Sequence, residues 1–536
     1  MKLELIDFLI IGLYFAVVFF VGFYFSRREK SSTDYFLAGR NIAWFAIGAS
    51  LFSSNISSEH FIGLAGSGYN SGLAVGNIEW LAIPVILLLA WFFVPYYLRS
   101  GVFTMPEFLE KRYNSSCRWY LTTVSIIAYV LTKVSVSLLA GGILLKQLLG
   151  WDMYTSSIVM VIATGVYTVA GGLTAVIYTE LLQTFVLIFG ALLLTILGLH
   201  ELGGFAGLAS KVPVDYFHMF KPASDPEFPW TGIVFGAPIL GIWYWCTDQF
   251  MVQRVLSAKN IDNAKAGSIL SGYLKILPVF ILVLPGIIAK ALYPNIEPND
   301  AYPTIVMNLL PAGIKGIVVA SLLAALMSSL ASCFNSSSTL FTIDIYKKWK
   351  PEAPEFILVN VGRIATFVIV ILGILWVPFI NEISNKIFIY LQSVQAYIAP
   401  PITAVFLIGI LWPRANGKAA ISVLVIGFIL GAVRFVCELI SKHYNIQHST
   451  ISYIASINFL HFAIILFVIS AFLLVVISLL SEKPTMDKLK GLTLKYSHEA
   501  VIDANYMNEK AKWTKINIIA SIVLVLILLS LWYTFF

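Results

Sequence analysis

Charge is what this sequence has least of. Only 12% of its 536 residues are Asp, Glu, Lys or Arg, against roughly 25% in a soluble globular domain. Hydrophobic residues make up 59%, and the mean hydropathy is +0.86, which excludes an ordinary water-soluble protein. Cysteine is scarce as well. Cys117, Cys246, Cys333 and Cys437 lie far apart, mostly inside apolar runs and without CxxC spacing, so no disulfide framework is implied and packing roles are expected. The seven histidines (His60, His200, His218, His443, His448, His461, His498) show no HExxH or other metal spacing. There is no GxxxxGK[ST] loop, no low-complexity segment and no stretch able to form a separate water-soluble domain. Enzymatic chemistry and nucleic-acid partners are therefore not expected, and any energy source has to be an ion gradient or another protein.

What the chain has in abundance is apolar runs of about 20 residues, each long enough to cross a hydrocarbon core of roughly 30 Å as a helix. Fourteen spans are expected, at about 5–26, 42–66, 74–97, 119–148, 154–169, 176–198, 230–256, 268–292, 305–345, 360–381, 386–412, 419–440, 456–481 and 516–535. The first has no AxA-like cleavage site and is expected to remain as a helix. The predicted fold class is an all-α polytopic membrane protein. With the N-terminus outside, the inner segments carry 24 of the 35 Lys and Arg, including Arg254 and seven lysines from Lys483 to Lys515. The positive-inside rule therefore predicts both termini outside.

Polar residues at membrane depth are costly and are functional candidates by default. The second span reads Ser50-Leu51-Phe52-Ser53-Ser54-Asn55-Ile56-Ser57-Ser58-Glu59-His60 and continues into Gly63, Gly66 and Gly68. A helix broken at mid-membrane around a cavity explains this pattern; small-residue helix packing is the plainer alternative. The seventh span is interrupted by Gly232, Gly236, Pro238 and Gly241 ahead of Trp243-Tyr244-Trp245-Cys246-Thr247-Asp248-Gln249. Two interrupted spans five apart predict an inverted repeat of five plus five helices, although Trp243 alone also suits an interfacial belt. Glu79, Lys275, Gln392 and Gln395 supply the mixture of donors and acceptors that several neutral hydroxyls require, while Glu79 and Lys275 could equally form a structural ion pair. The serines from Ser328 to Ser338 offer hydroxyl oxygens for a hard monovalent cation, with sodium the natural candidate.

Six stretches carry a family resemblance: Asn55 to Gly68 (NISSEHFIGLAGSG), Gly101 to Arg112 (GVFTMPEFLEKR), Tyr167 to Ala175 (YTVAGGLTA), Trp243 to Gln253 (WYWCTDQFMVQ), Ser328 to Tyr346 (SSLASCFNSSSTLFTIDIY) and Gln392 to Pro401 (QSVQAYIAPP). In order and over nearly the whole chain, they resemble the sodium/solute symporter family, most of all its sodium/glucose cotransporter branch. The resemblance implies a LeuT-like core within one transmembrane domain. Residues 5–26 would be an extra helix, 42–198 and 230–412 the two repeats, and 419–535 additional helices. It also implies sodium-coupled symport of a sugar by alternating access. Sodium would be held by the carbonyls of Ser53, Ile56 and Ala325 and the hydroxyls of Ser328 and Ser329. The sugar would meet Asn55, His60, Glu79, Tyr244, Trp245, Lys275 and Gln392, with Gln395 one turn away. Tyr244 would be the inner gate, and Leu64, Ile78 and Phe388 the outer gate.

Departures from the family pattern sharpen these expectations. Ile78 stands where many relatives have an aromatic, Gly241 replaces a Thr or Asn, and the Ser58-Glu59-His60 triplet looks more like relatives that carry inositol, mannose or fructose. A neutral hexose or cyclic polyol is the expected class, and a symporter of a carboxylate or sialic acid is the alternative. At the positions of the second sodium site of some relatives stand Glu180 and Ala331, which predicts one sodium per substrate. A single chain in the bilayer is expected to suffice for transport. The long outer loop and cytoplasmic extension of animal relatives are missing, which suggests a bacterial inner membrane.

Overall fold

The computed structural model describes residues 3–26, 31–376, 387–444, 450–499 and 511–536. In lipid every backbone N–H and C=O has to be bonded within the chain, and a sequence this apolar meets that demand with helices. Among the described residues there are helices and no strands, with two isolated bridges, Ile42 to Ala258 and Lys221 to Pro229. Eleven of the helices are long and apolar enough to cross a membrane. The all-helical expectation stands, whereas eleven such helices are found where fourteen spans were expected.

The elements that position the site are α1 (Leu5–Ser26), α2 (Trp44–Asn55), α3 (Ser58–Ser71), α4 (Gly76–Leu88), α5 (Ser135–Leu149), α6 (Met153–Glu201), α7 (Gln249–Leu256), α8 (Ile261–Leu274), α9 (Ile314–Thr339), α10 (Ile387–Leu411), α11 (Phe459–Leu480) and α12 (Ala511–Thr534). Helix α6 carries 49 residues, roughly 74 Å at 1.5 Å per residue, more than twice the hydrocarbon core. It bends at Gly172, whose φ of 45° suits glycine.

Helix α9 forms the centre of the molecule. It is buried on nearly every side, packs along α6, and also touches α2 and α5. Its Ala and Ser residues let neighbouring backbones approach, which is how helices associate where no hydrophobic effect acts between them. Helices α2 and α8 cross closely for the same reason, since a Cβ on Gly48 would lie 2.8 Å from the Gly267 carbonyl oxygen. At the other extreme, α1 and α12 leave most of their surface exposed. All four cysteines are free; three are buried and Cys437 is partly so.

Candidate functional site

The first break falls where the polar run of the second span predicts it. Helix α2 ends at Asn55, Ile56 and Ser57 are extended (ψ 113° and −178°), and α3 begins at Ser58. Ser57 and His60 form a capping box, in which the Ser57 N–H donates to His60 Nδ1 at 3.4 Å. The second break is displaced from the Gly/Pro stretch. The aromatic run Ile242–Thr247 forms a π-helical turn, Asp248 is extended, and α7 follows. The glycines upstream serve packing instead, because a Cβ on Gly236 would lie 2.4 Å from the Leu460 carbonyl oxygen and one on Gly232 2.8 Å from Leu460 Cβ. Asp248 caps α7 by accepting from the Phe250 N–H at 3.2 Å.

Beside the first break lies a cavity of about 90 Å³, several times the roughly 10–15 Å³ that one water needs. All eight expected sugar-site residues line it: Asn55, His60, Glu79, Tyr244, Trp245, Lys275, Gln392 and Gln395. Lys275 holds one side together. Its ammonium donates to Asn55 Oδ1 at 2.6 Å and to Glu79, and it lies 5.7 Å from the centre of the Trp245 ring. His60 Nε2 is 3.8 Å from Glu79 Oε1, and the Asn55 amide donates to the Tyr244 hydroxyl at 3.3 Å.

Helix ends explain these placements. Lys275 sits at the C-cap of α8 and Glu79 in the first turn of α4, each at the end whose dipole favours its charge. Trp80 closes the backbone after Lys275 by donating to the Ile276 carbonyl at 3.2 Å. Gln392 and Gln395 stand three apart on α10, one face of a helix. The arrangement presents amide, carboxylate and ammonium groups beside aromatic faces, which suits a small ring bearing several hydroxyls.

Of the expected gates, Ile78 and Tyr244 line this cavity. Leu64 is fully buried and does not line it, and the Phe388 side chain lies outside the described residues.

Of the expected cation ligands, Ser53, Ala325, Ser328 and Ser329 lie where α2 meets α9. Ser328 Oγ donates at 2.9 Å to both the Ser53 and the Ala325 carbonyls. Ser53 Oγ is buried with no hydrogen-bond partner among the described residues. Ser329 Oγ donates at 3.2 Å to the Ser54 carbonyl rather than to Ser53, and Ile56 is buried at the break itself. Carbonyl and hydroxyl oxygens with an orphaned hydroxyl among them are a donor set that fits a hard monovalent cation.

One turn further along α9 lies a separate cluster. Glu180, fully buried, receives Arg254 Nη2 and Ser54 Oγ, each at 2.8 Å, and also the Ser50 and Ser332 hydroxyls. Arg254 corrects the sequence expectation. Counted there with the inner basic residues, it is completely buried, because α7 runs on to Leu256 and Glu180 neutralises it from α6. Ala331, also fully buried, brings no side-chain oxygen to this cluster.

Lys133 is the residue the sequence reading missed. It lines the cavity, pairs with Asp248 Oδ2 at 2.7 Å, and lies 3.7 Å from the Phe250 ring centre and 4.8 Å from that of Tyr244. The Tyr129 hydroxyl also donates to Asp248. A lysine in the middle of the fourth apolar span was the available signal. Trp243 is buried, which removes the interfacial-belt alternative.

Comparison with known proteins identifies the family and the fold. The sequence description "Sodium:solute symporter family" matches residues 35–427. Mouse (Mus musculus) sodium/glucose cotransporter 4 is 42% identical, with 91% of this chain and 77% of the relative covered. Sodium/glucose cotransporter 1 of Oryctolagus cuniculus is 41% identical, covering 90% and 80%. The sodium/mannose cotransporter SLC5A10 of Bos taurus is 42% identical, covering 92% and 89%. Among solved structures, a Na+-coupled sialic acid symporter in a substrate-bound outward-open state superposes with a TM-score of 0.79 at 22% identity, over 90% of this chain and 99% of that one. MHP1, a nucleobase-cation-symport-1 family transporter, superposes at 0.54 and 13% identity, over 85% and 96%. These two share the fold, and the sequence match over most of its length makes this chain a member of the sodium:solute symporter family.

Proposed function

We propose that this protein carries a neutral hexose or cyclic polyol across the membrane together with sodium, by alternating access. The observation that carries the reading is a cavity lined by hydroxyl-binding groups directly beside a broken helix whose freed carbonyls meet the Ser328 hydroxyl. Family membership and relatives named as sodium/glucose and sodium/mannose cotransporters support it. Sodium entering from outside holds α2 against α9 through Ser53, Ile56, Ala325, Ser328 and Ser329. That steadies Asn55, His60 and Glu79 for the sugar, whose ring lies against Tyr244 and Trp245. Rocking of the core then lets Tyr244 yield toward the inside, with Leu64, Ile78 and Phe388 closing the outer path.

Sodium and sugar each tighten the other's binding by the same factor. A tenfold sodium gradient is worth about 1.4 kcal/mol and a 100 mV potential about 2.3 kcal/mol per charge. One sodium per sugar therefore supports roughly 500-fold accumulation. One sodium is favoured because Arg254 already neutralises Glu180 and Ala331 lacks an oxygen.

In this reading the chain crosses the membrane fourteen times. The bend in α6 and the two broken helices add three crossings to the eleven long helices. Residues 42–198 and 230–412 form inverted repeats, each beginning with a broken helix, and the positive-inside pattern places both termini outside. A single chain suffices.

Uptake of radiolabelled hexoses and polyols into proteoliposomes containing the purified protein tests this. Accumulation of at least one in sodium and none in choline is expected, and equal uptake in both overturns it. Competition by organic acids but not by neutral sugars would favour the acid symporter.

A further inference from the structure

Glu59 is a buried carboxylate on the cavity wall that the transport scheme leaves unused. Among the described residues two other buried carboxylates nearby have cations: Lys275 holds Glu79 and Lys133 holds Asp248. Glu59 has none within salt-bridge distance among the described residues. Its recorded hydrogen bond is from the Ser137 hydroxyl to Oε2, at 3.2 Å, which leaves Oε1 available. The neighbouring His60 ring turns elsewhere, with Nδ1 at Ser57 and Nε2 toward Glu79.

Position matters as much as charge. Glu59 lies in the first turn of α3, whose positive dipole end favours a carboxylate there. In broken-helix transporters such an exposed half-helix end is where an anionic group of the substrate is held. Here the protein's own carboxylate fills that place. The two lysines beside the cavity are each matched by a carboxylate, Glu79 and Asp248, and among the described residues Glu59 has no lysine or arginine of its own.

We infer that Glu59 sets the charge preference of the site. It accepts a hydrogen bond from a hydroxyl of a neutral ring or from a protonated amine of an amino sugar, and it repels a ring bearing a carboxylate. This rests on the sugar reading above.

The test measures equilibrium binding to the purified full-length protein in saturating sodium, read by tryptophan fluorescence, at a pH where the amines are protonated. The probes are glucose and mannose with their 2-amino and uronic-acid counterparts. The wild type binds the neutral and amino sugars and rejects the uronic acids. Glu59→Gln shifts the amino-to-acid preference by about tenfold or more toward the acid, while Glu59→Asp keeps the wild-type order. Glu59→Ala is read in the same way should the glutamine variant fail to fold. Neutral-sugar binding with an unchanged amino-to-acid ratio in Glu59→Gln overturns the inference alone. A wild type that binds none of the probes overturns the sugar reading and the inference with it.

Discussion

At the first break two residues, Ile56 and Ser57, leave helical geometry, while at the second only Asp248 does. The half-helices that follow also meet their charges differently. Asp248 caps α7, takes the Tyr129 hydroxyl and pairs with Lys133, so its charge is matched within the protein. Glu59, at the start of α3, has one hydroxyl partner and an oxygen to spare. The end of α2 just before the first break meets α9 through the Ser53 and Ser54 carbonyls, and among the described residues the Ser53 hydroxyl lacks a partner. The contrast teaches that unwinding alone does not make a site. The second break is satisfied by partners within the protein, whereas the first leaves the Ser53 hydroxyl and one Glu59 carboxylate oxygen without partners among the described residues.

The largest effect that would break this contrast is on stability. Asp248→Ala removes a cap and strands Lys133, and leaving one member of a buried ion pair costs about 3–5 kcal/mol. Thermal unfolding of the detergent-purified protein should show a large loss for Asp248→Ala and a change of about 1 kcal/mol or less for Glu59→Gln. Equal losses would erase the distinction. The next effect is on the ion. Ser328→Ala removes the hydroxyl that joins the Ser53 and Ala325 carbonyls, and the sodium concentration for half-maximal uptake should rise about tenfold or more; an unchanged sodium requirement removes Ser328 from the site. Gln392→Ala should raise the half-saturating sugar concentration, at a cost of about 1–3 kcal/mol for the unpaired groups left behind, with sodium binding retained, and a combined loss would mean that α10 supports the ion site as well.

How much of this the sequence made legible varies between the two breaks. The first was readable, because Ser53, Asn55, Ser57, Glu59 and His60 are too polar for a lipid-facing helix and lie at the break itself. The second was placed too early, since Pro238 stands in the first turn of a helix, where its missing N–H costs nothing, and Gly232 and Gly236 are packed against Leu460. The Thr247-Asp248 pair ahead of a helical stretch is an N-cap signature that marks the true position. Arg254 was hidden because it was counted among the basic residues that mark loops, and Lys133 was passed over inside the fourth span; Glu180 and Asp248, on other elements, are what let Arg254 be buried and Lys133 lie against the cavity. The span count differs because length and hydropathy pass over the short half-helices and count the bent α6 once.

The smallest effect lies outside both breaks, at Glu110 on the segment Met105–Arg112. Burial pushes its carboxyl up, but hydrogen bonds and charge from Lys348 and Arg118 outweigh this and hold it below its ordinary value of 4.5. A carboxyl depressed in the folded state contributes stability above its unfolded value and loses it as pH falls through the folded one. Below about pH 4.5 the wild type should therefore lose slightly more thermal stability than Glu110→Gln, and identical acid limbs would show that this group contributes nothing.

The most direct measurement is the equilibrium affinity for a bound hexose in sodium and in choline, together with the affinity for sodium with and without that hexose. Coupling at the Asn55–Ser57 break predicts that each ligand tightens the other by one and the same factor. A sugar affinity indifferent to the cation would contradict it.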